Sequence, residues 1–167
     1  CHGVMNTDNM SILGLTLDYG PYGFMDAFDA HHICNHTDSA GRYSWDAQPA
    51  VGHWNLYKLA GALFPLIEDE DAIRAWLDGY EATFLDTFHG LMARKLGLVA
   101  WRDTDADLVN ALWAVMHRNG ADFTLSFRRL AQVHKDAATE RAASAGRATF
   151  VDLFADRPAA EAWLDTY

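Results

Sequence analysis

His2-Gly3-Val4-Met5-Asn6-Thr7-Asp8-Asn9-Met10-Ser11, with Leu17-Asp18-Tyr19-Gly20-Pro21-Tyr22-Gly23-Phe24 close behind, is the stretch on which the reading of this 167-residue chain turns. Turn formers recur through it: Asn6, Asp8, Asn9, Gly14, Asp18, Gly20, Pro21 and Gly23. The one apolar run, Ile12 to Leu17, predicts a short strand or hairpin between two loops. Asp8 and Asn9 are adjacent short polar residues in a tight loop, and Asp18 follows the apolar run and precedes Tyr19-Gly20. Carboxylate and amide oxygens are the ligands that hard divalent cations prefer. A carboxylate in such a loop can also orient and deprotonate a hydroxyl. The competing reading is that the same residues only cap their own backbone as turn formers, and spacing alone leaves both open.

Outward from this stretch the chain divides by composition near residue 50. Residues 1–52 stay rich in Gly, Asp, Asn, His and Pro and read as a loop segment with little core of its own. Residues 53–167 read as a helical bundle of the same domain. Trp54, Tyr57, Gly61 and Phe64 fall on one helical face, and Ile73, Trp76, Leu77, Tyr80, Phe84 and Phe88 follow the spacing of an amphipathic helix. The acidic run Glu68 to Asp71 suits the start of that helix, where the dipole favours negative charge. Gly97 after Arg94-Lys95 predicts a stop. Thr104 with Asp107 predicts a capping box, ahead of an apolar face of Leu108, Leu112, Val115 and Met116 that Asn119-Gly120 ends. Thr124 is a candidate cap for a helix reaching about His134. Ala137 to Ala148 reads as an exposed helix or a connection, and Pro158 opens a last helix carrying Trp163 and Leu164. Tryptophans and phenylalanines at helical spacing are expected in the core.

Composition bounds the function classes. Half the residues are hydrophobic and 13% aromatic, which excludes a disordered chain. The net charge of -10 argues against nucleic acid and anionic membranes as partners. No apolar run approaches the roughly 20 residues of a membrane-spanning helix. No basic start leads into an apolar stretch, so a cytoplasmic protein with reduced thiols is expected. Cys1 and Cys34 could pair once, but two cysteines make no disulfide framework. A start at Cys1 and an end at Tyr167 inside a helical pattern predict an internal fragment.

Protein kinases combine a catalytic-loop Asp, a metal-binding Asn, a short hairpin and a metal-binding Asp before aromatic-Gly. Here the Asn follows the Asp directly, and no His-Arg-Asp triplet is present. The longer words are more specific. Together with Ile33-Cys34-Asn35-His36-Thr37-Asp38, Gly41-Arg42-Tyr43, Gln48-Pro49, Gly52-His53-Trp54-Asn55-Leu56, Met92 to Leu98, Asp122-Phe123-Thr124 and Phe127-Arg128, the opening stretch strongly resembles the selenoprotein O family. The resemblance covers nearly the whole chain and is densest over residues 2–56.

That resemblance implies a mainly α, protein-kinase-like large lobe with a short β-hairpin at the metal-binding loops. It implies AMP transfer from ATP to Ser, Thr or Tyr hydroxyls of proteins, with ATP held flipped relative to kinases so that attack falls on the α-phosphate. Asp8 matches the proton acceptor. Asn9 and Asp18 match the ligands of Mg²⁺ (or Mn²⁺), Asp18 next to the nucleotide. Cys34 matches a redox cysteine whose partner lies near the family's C-terminus; Cys1 would be a different partner. The small lobe's Gly-rich loop, Lys and Glu have no counterpart in this sequence, so the chain is expected to be the interior of the large lobe, with an incomplete ATP cradle. The alternative is a non-catalytic helical module that binds a partner through exposed aromatics. Ordinary kinase activity is a third reading.

Other candidates weigh less. His31, His32, Cys34 and His36 match no common zinc spacing. Asp103 to Asp107 starts like an EF-hand loop, but Leu108 stands where Gly is needed and Ala114 where Glu is needed. Arg42, Arg94, Lys95, Arg128 and Arg129 could meet phosphates or acidic partners, or remain solvated.

Overall fold

In the computed structural model of the chain the described residues are 1–133 and 140–167, the side chains of 140–143 excepted. The expected helix end at His134 and the start of the Ala-rich stretch, residues 137–139, lie outside them. Six α-helices account for most of the described structure: α1 (Gln48–Ile67), α2 (Glu70–Leu96), α3 (Asp105–Asn119), α4 (Phe123–Leu130), α5 (Glu140–Val151) and α6 (Arg157–Thr166). Two 3-10 turns, Thr7–Asn9 and Trp45–Ala47, precede them. No helix among the described residues is long and apolar enough to cross a membrane.

The boundaries follow local chemistry. Pro lies in the first turn of α1 and of α6, where its missing N–H costs nothing. Asp69 accepts the amide of Ala72 at 3.0 Å and so caps α2, whose first turn carries Glu70 and Asp71. Gly97 and Gly120 stop α2 and α3 in the left-handed region, at φ 72° and 55°. Two expected caps differ. Asp122, not Thr124, caps α4, its carboxylate accepting from the amide of Leu125 at 2.7 Å. Thr104 sits at the N-cap of α3 but makes no side-chain cap bond, because its helical backbone (φ -75°, ψ -15°) lacks the extended geometry of a cap.

Asp105 takes over at that helix start. Its carboxylate is buried and accepts the backbone N–H of Arg102 at 2.8 Å and the guanidinium at 2.9 Å. The side-chain hydrogen bond from Arg102 holds the Asp105 carboxyl below the usual carboxylate range. A depressed folded-state value means that this stabilisation is complete above the unfolded pKa and is lost as pH falls through the folded one. Unfolding midpoints from pH 7 down to 2 are therefore expected to fall less steeply below about pH 4 in Asp105→Asn than in the parent. Parallel curves would remove Asp105 from the acid response.

The expected β-hairpin at Ile12–Leu17 is absent. The amide of Gly14 bonds to the carbonyl of Ser11 (3.1 Å) and that of Leu13 to the Ser11 hydroxyl (3.2 Å), which turns the chain where the strand would start. No neighbouring strand is present among the described residues, and Ile12, Leu13, Leu15 and Leu17 stand out in solvent. An apolar run without a partner gains nothing from extension. Pairing occurs instead at the ends of the loop, as an isolated antiparallel bridge between His2 and Tyr22.

The chain forms two compact units. Cys1–Phe24 and Ala30–Phe88 make the first; Met25–Asp29 and His89–Tyr167 make the second. In the first, the loops lie on the N-terminal half of α1. The helix buries Val51, Gly52, Asn55 and Ala60, and leaves exposed the aromatic face expected to be core, Trp54, Tyr57 and Phe64. Small and polar residues win that face because loop backbone packs against it. The face of α2 read as its apolar stripe is only half-buried, with Trp76 exposed. Tyr80, Phe84 and Phe88 stack along it at centroid spacings of 6.1 and 6.0 Å. Tyr80 also stacks on His53 and donates its hydroxyl to the carbonyl of Pro49.

The second unit holds the dense core. Leu108, Leu112, Val115 and Met116 are all buried on α3, as their spacing predicts. They meet Trp163 and Leu164 of α6, with Phe150, Val151 and Phe154 close by. The indole N–H of Trp163 donates to the carbonyl of Leu108 at 2.9 Å, so the largest buried ring is also satisfied. A second cluster stacks Phe28, Trp113 and Phe123.

Candidate active-site loop

Residues 1–23 form a loop closed at its base. The backbone of Cys1 and Gly23 exchanges two hydrogen bonds, at 2.9 and 3.1 Å, and the amide of Gly3 donates to the carbonyl of Pro21. A Cβ on Gly3 would come within 2.7 Å of that carbonyl oxygen, so only glycine permits the closure. Gln48, the first residue of α1, braces the base by donating to the carbonyl of His2 at 2.9 Å and of Tyr43 at 3.3 Å.

Inside the loop, Asp8 and Asn9 share the 3-10 turn Thr7–Asn9, closed by the amide of Asn9 on the carbonyl of Asn6 (3.1 Å). The Asn9 side-chain nitrogen donates to the carbonyl of Val4 at 3.0 Å. That bond fixes the amide and leaves its oxygen available as an acceptor. The Asp8 carboxylate is exposed and takes no hydrogen bond among the described residues. Asp18 is also exposed, and its Oδ1 accepts the amide of Gly20 at 2.9 Å. This Asx bond shapes the backbone and leaves the second carboxylate oxygen open. No hydrogen bond joins Asp18 to the Asp8–Asn9 turn among the described residues.

Three residues central to this loop stand in the stretches that carry the resemblance but have no role of their own in the sequence reading. Asn55, buried on α1, donates its amide to the carbonyl of Met5 at 2.7 Å and so holds the segment before the turn. Its own Oδ1, and that of Asn6, are buried without a donor among the described residues. Thr7 and Asn55 line one cavity of about 440 Å³ with Met10, Ile12, Trp54 and Lys58. Gln48 and Gly3 complete the set. No local signal marks Asn55, because the helical pattern puts the opposite, aromatic side of α1 in the core; the others depend on partners distant in sequence.

The remaining candidates have other partners. Lys95 lies over the rings of Phe127 and Phe123, at 4.3 and 4.9 Å, and burial pushes its ammonium pKa down. Arg129 donates to the carbonyl of Thr149, and Arg42 lies over Trp54. His31 pairs with Asp46 at 2.9 Å. Among the described residues no three His, Cys, Asp or Glu side chains gather as a metal site, so the histidines around Cys34 form no zinc cluster there. Cys34 lies instead 3.8 Å from the sulfur of Cys1.

The family model described as protein adenylyltransferase SelO matches residues 1–167. The chain belongs to the SelO family. A protein nucleotidyltransferase YdiU of Bordetella parapertussis is 59% identical over 165 residues, which cover 99% of this chain and 32% of the relative. A Bordetella petrii protein of the same name is 59% identical over 165 residues and is covered to 31%. One from Burkholderia lata is 50% identical over 181 residues and is covered to 34%. The chain thus spans about a third of the length of the curated SelO-family relatives it matches.

Proposed function

We propose that the chain supplies the catalytic loop of a protein adenylyltransferase, in a kinase-like large lobe, and that this enzyme moves AMP from ATP to Ser, Thr or Tyr hydroxyls of other proteins. The observation that carries this reading is the Asp8–Asn9 turn. It presents an uncommitted carboxylate beside an amide whose oxygen is left available by the bond to Val4. Membership of a family described as protein adenylyltransferases supplies the reaction class.

In this reading Asp8 accepts the proton of the acceptor hydroxyl as its oxygen attacks the α-phosphorus. The bond between the α-phosphorus and the bridging oxygen breaks, and pyrophosphate leaves. Asn9 and Asp18 would hold Mg²⁺ or Mn²⁺. The donor set fits, since one amide oxygen and one carboxylate oxygen remain after the internal bonds to Val4 and Gly20. The ion's chemistry would be charge neutralisation on the phosphates. Asn55 and Gln48 hold the turn and the loop base in place, which is the positioning that phosphoryl-type chemistry chiefly needs.

A chimaera tests this directly: the Bordetella parapertussis relative with its matching segment replaced by these 167 residues. With ATP labelled at the α-phosphate, label is expected on protein together with released pyrophosphate. Label transferred from the γ-phosphate with ADP release would make the chemistry that of an ordinary kinase. A second reading, a non-catalytic module that binds a partner, is favoured by the exposed apolar side of α1, where Trp54, Tyr57, Leu66 and Ile67 face solvent. It predicts transfer of neither label.

A further inference from the structure

We propose that the exposed side of α1 is an intramolecular docking face. Its occupant in the full-length protein is an amphipathic helix with an acidic border, drawn from the part of the SelO-family polypeptide that this chain does not span. The chain covers about a third of the length of its relatives, which leaves the larger part of each relative to supply such a helix.

Trp54, Tyr57, Gly61 and Phe64 keep helical spacing along α1, and the three aromatics are 41%, 61% and 45% exposed. Folded chains seldom leave a continuous apolar stripe in water unless something docks on it. Gly61 says what kind of element that is. Glycine inside a helix is less stable than alanine, yet a Cβ here would meet nothing within 4 Å. Nothing among the described residues requires glycine at this position. A notch between aromatic side chains lets the backbone of a second helix come close, with its ridge in the groove of the first. A strand would find no pairing there, because the backbone groups along α1 are spent within the helix.

The cavity of about 440 Å³ adjoins this stripe, since Trp54 and Lys58 line it together with Leu59 and Ala62. Asn55 lines it as well, 5% exposed, and its Oδ1 is buried without a donor among the described residues. A buried acceptor left in that state costs free energy until a donor arrives, and an incoming helix can bring one on a side chain. The border of the face is basic. Arg42 and Lys58 lie over the Trp54 ring, at 4.7 and 5.1 Å, in a chain whose net charge is -10. Acidic residues beside the apolar stripe of the incoming helix complement that border and fix its register.

The test compares the isolated 167-residue chain with the chimaera. Under hydroxyl-radical footprinting, Trp54 is expected to oxidise several times faster than the buried Trp163 in the isolated chain, and as slowly as Trp163 in the chimaera. Benzoylphenylalanine at position 64 of the chimaera is expected to cross-link, on irradiation, to a peptide of the same polypeptide from outside the 167 residues. Gly61→Gln should move the two proteins in opposite directions. The thermal midpoint of the isolated chain should rise by about 1–4 °C, because a helix former replaces glycine, whereas that of the chimaera should fall, because the notch is filled. A Trp54 equally reactive in both proteins would overturn the proposal. So would cross-links only between copies, to a separate protein or within the 167 residues, and so would a chimaera that Gly61→Gln stabilises as much as the isolated chain. These readouts are independent of AMP transfer, so the docking face and the proposed activity stand or fall separately.

Discussion

Asp8→Asn, placed in the chimaera, is expected to lower the turnover of AMP transfer by about 10²–10⁴-fold, the usual contribution of a positioned general base. Asn keeps the shape and can still accept a hydrogen bond from the attacking hydroxyl, but it cannot take the proton. The loss should therefore fall on kcat, with the KM for ATP little changed. The fold should not suffer, because the Asp8 carboxylate is exposed and bonds to nothing among the described residues. Surface changes of this kind usually stay within about 0.5 kcal/mol. Asp18→Asn separates the two roles: it retains an oxygen for the Gly20 amide and removes the charge. Its activity should be low at limiting Mg²⁺ and recover in part at high Mg²⁺, whereas Asp8→Asn should not respond. Rates within a few-fold of the parent for Asp8→Asn, measured under saturating ATP, would take the proton acceptor out of this turn.

Phe150→Ala is expected to cost about 3–5 kcal/mol, the range for deleting a buried aromatic ring. Phe150 is 1% exposed and packs on Phe154 and Trp163 at centroid distances of 5.0 and 5.6 Å. Its removal opens a cavity where α5 meets α6, beside the indole that is pinned to Leu108. Phe64→Ala is the matched control, since Phe64 lies at helical spacing on α1 but is 45% exposed. Urea unfolding followed by tryptophan fluorescence should separate the two by several-fold in cost. Equal losses would mean that the aromatic side of α1 is buried after all.

These contrasts mark where the sequence could be read. On α3 the apolar residues keep a strict helical period and Gly120 ends it, so local pattern and final burial coincide. On α1 the period was right and the face was wrong. The aromatic stripe of Trp54, Tyr57 and Phe64 is the stronger hydrophobic signal, but the side that meets the loops has to be small and polar, to reach Met5 and Tyr80. The apolar run Ile12–Leu17 carried a strand's composition, yet a strand needs a neighbour, and none lies beside it among the described residues.

The sequence by itself determined the family, the predominance of helix and the Asp8–Asn9–Asp18 candidates, because each is written in residues close together along the chain. Only the tertiary structure showed that Cys1 and Gly23 close the loop, that Asn55 holds Met5 from 50 positions away, and that Cys34 lies against Cys1. The physical reason is the range of the interactions. Turns, caps and helical periods follow from neighbours in sequence, whereas which polar group is buried against which backbone is fixed only when distant segments meet.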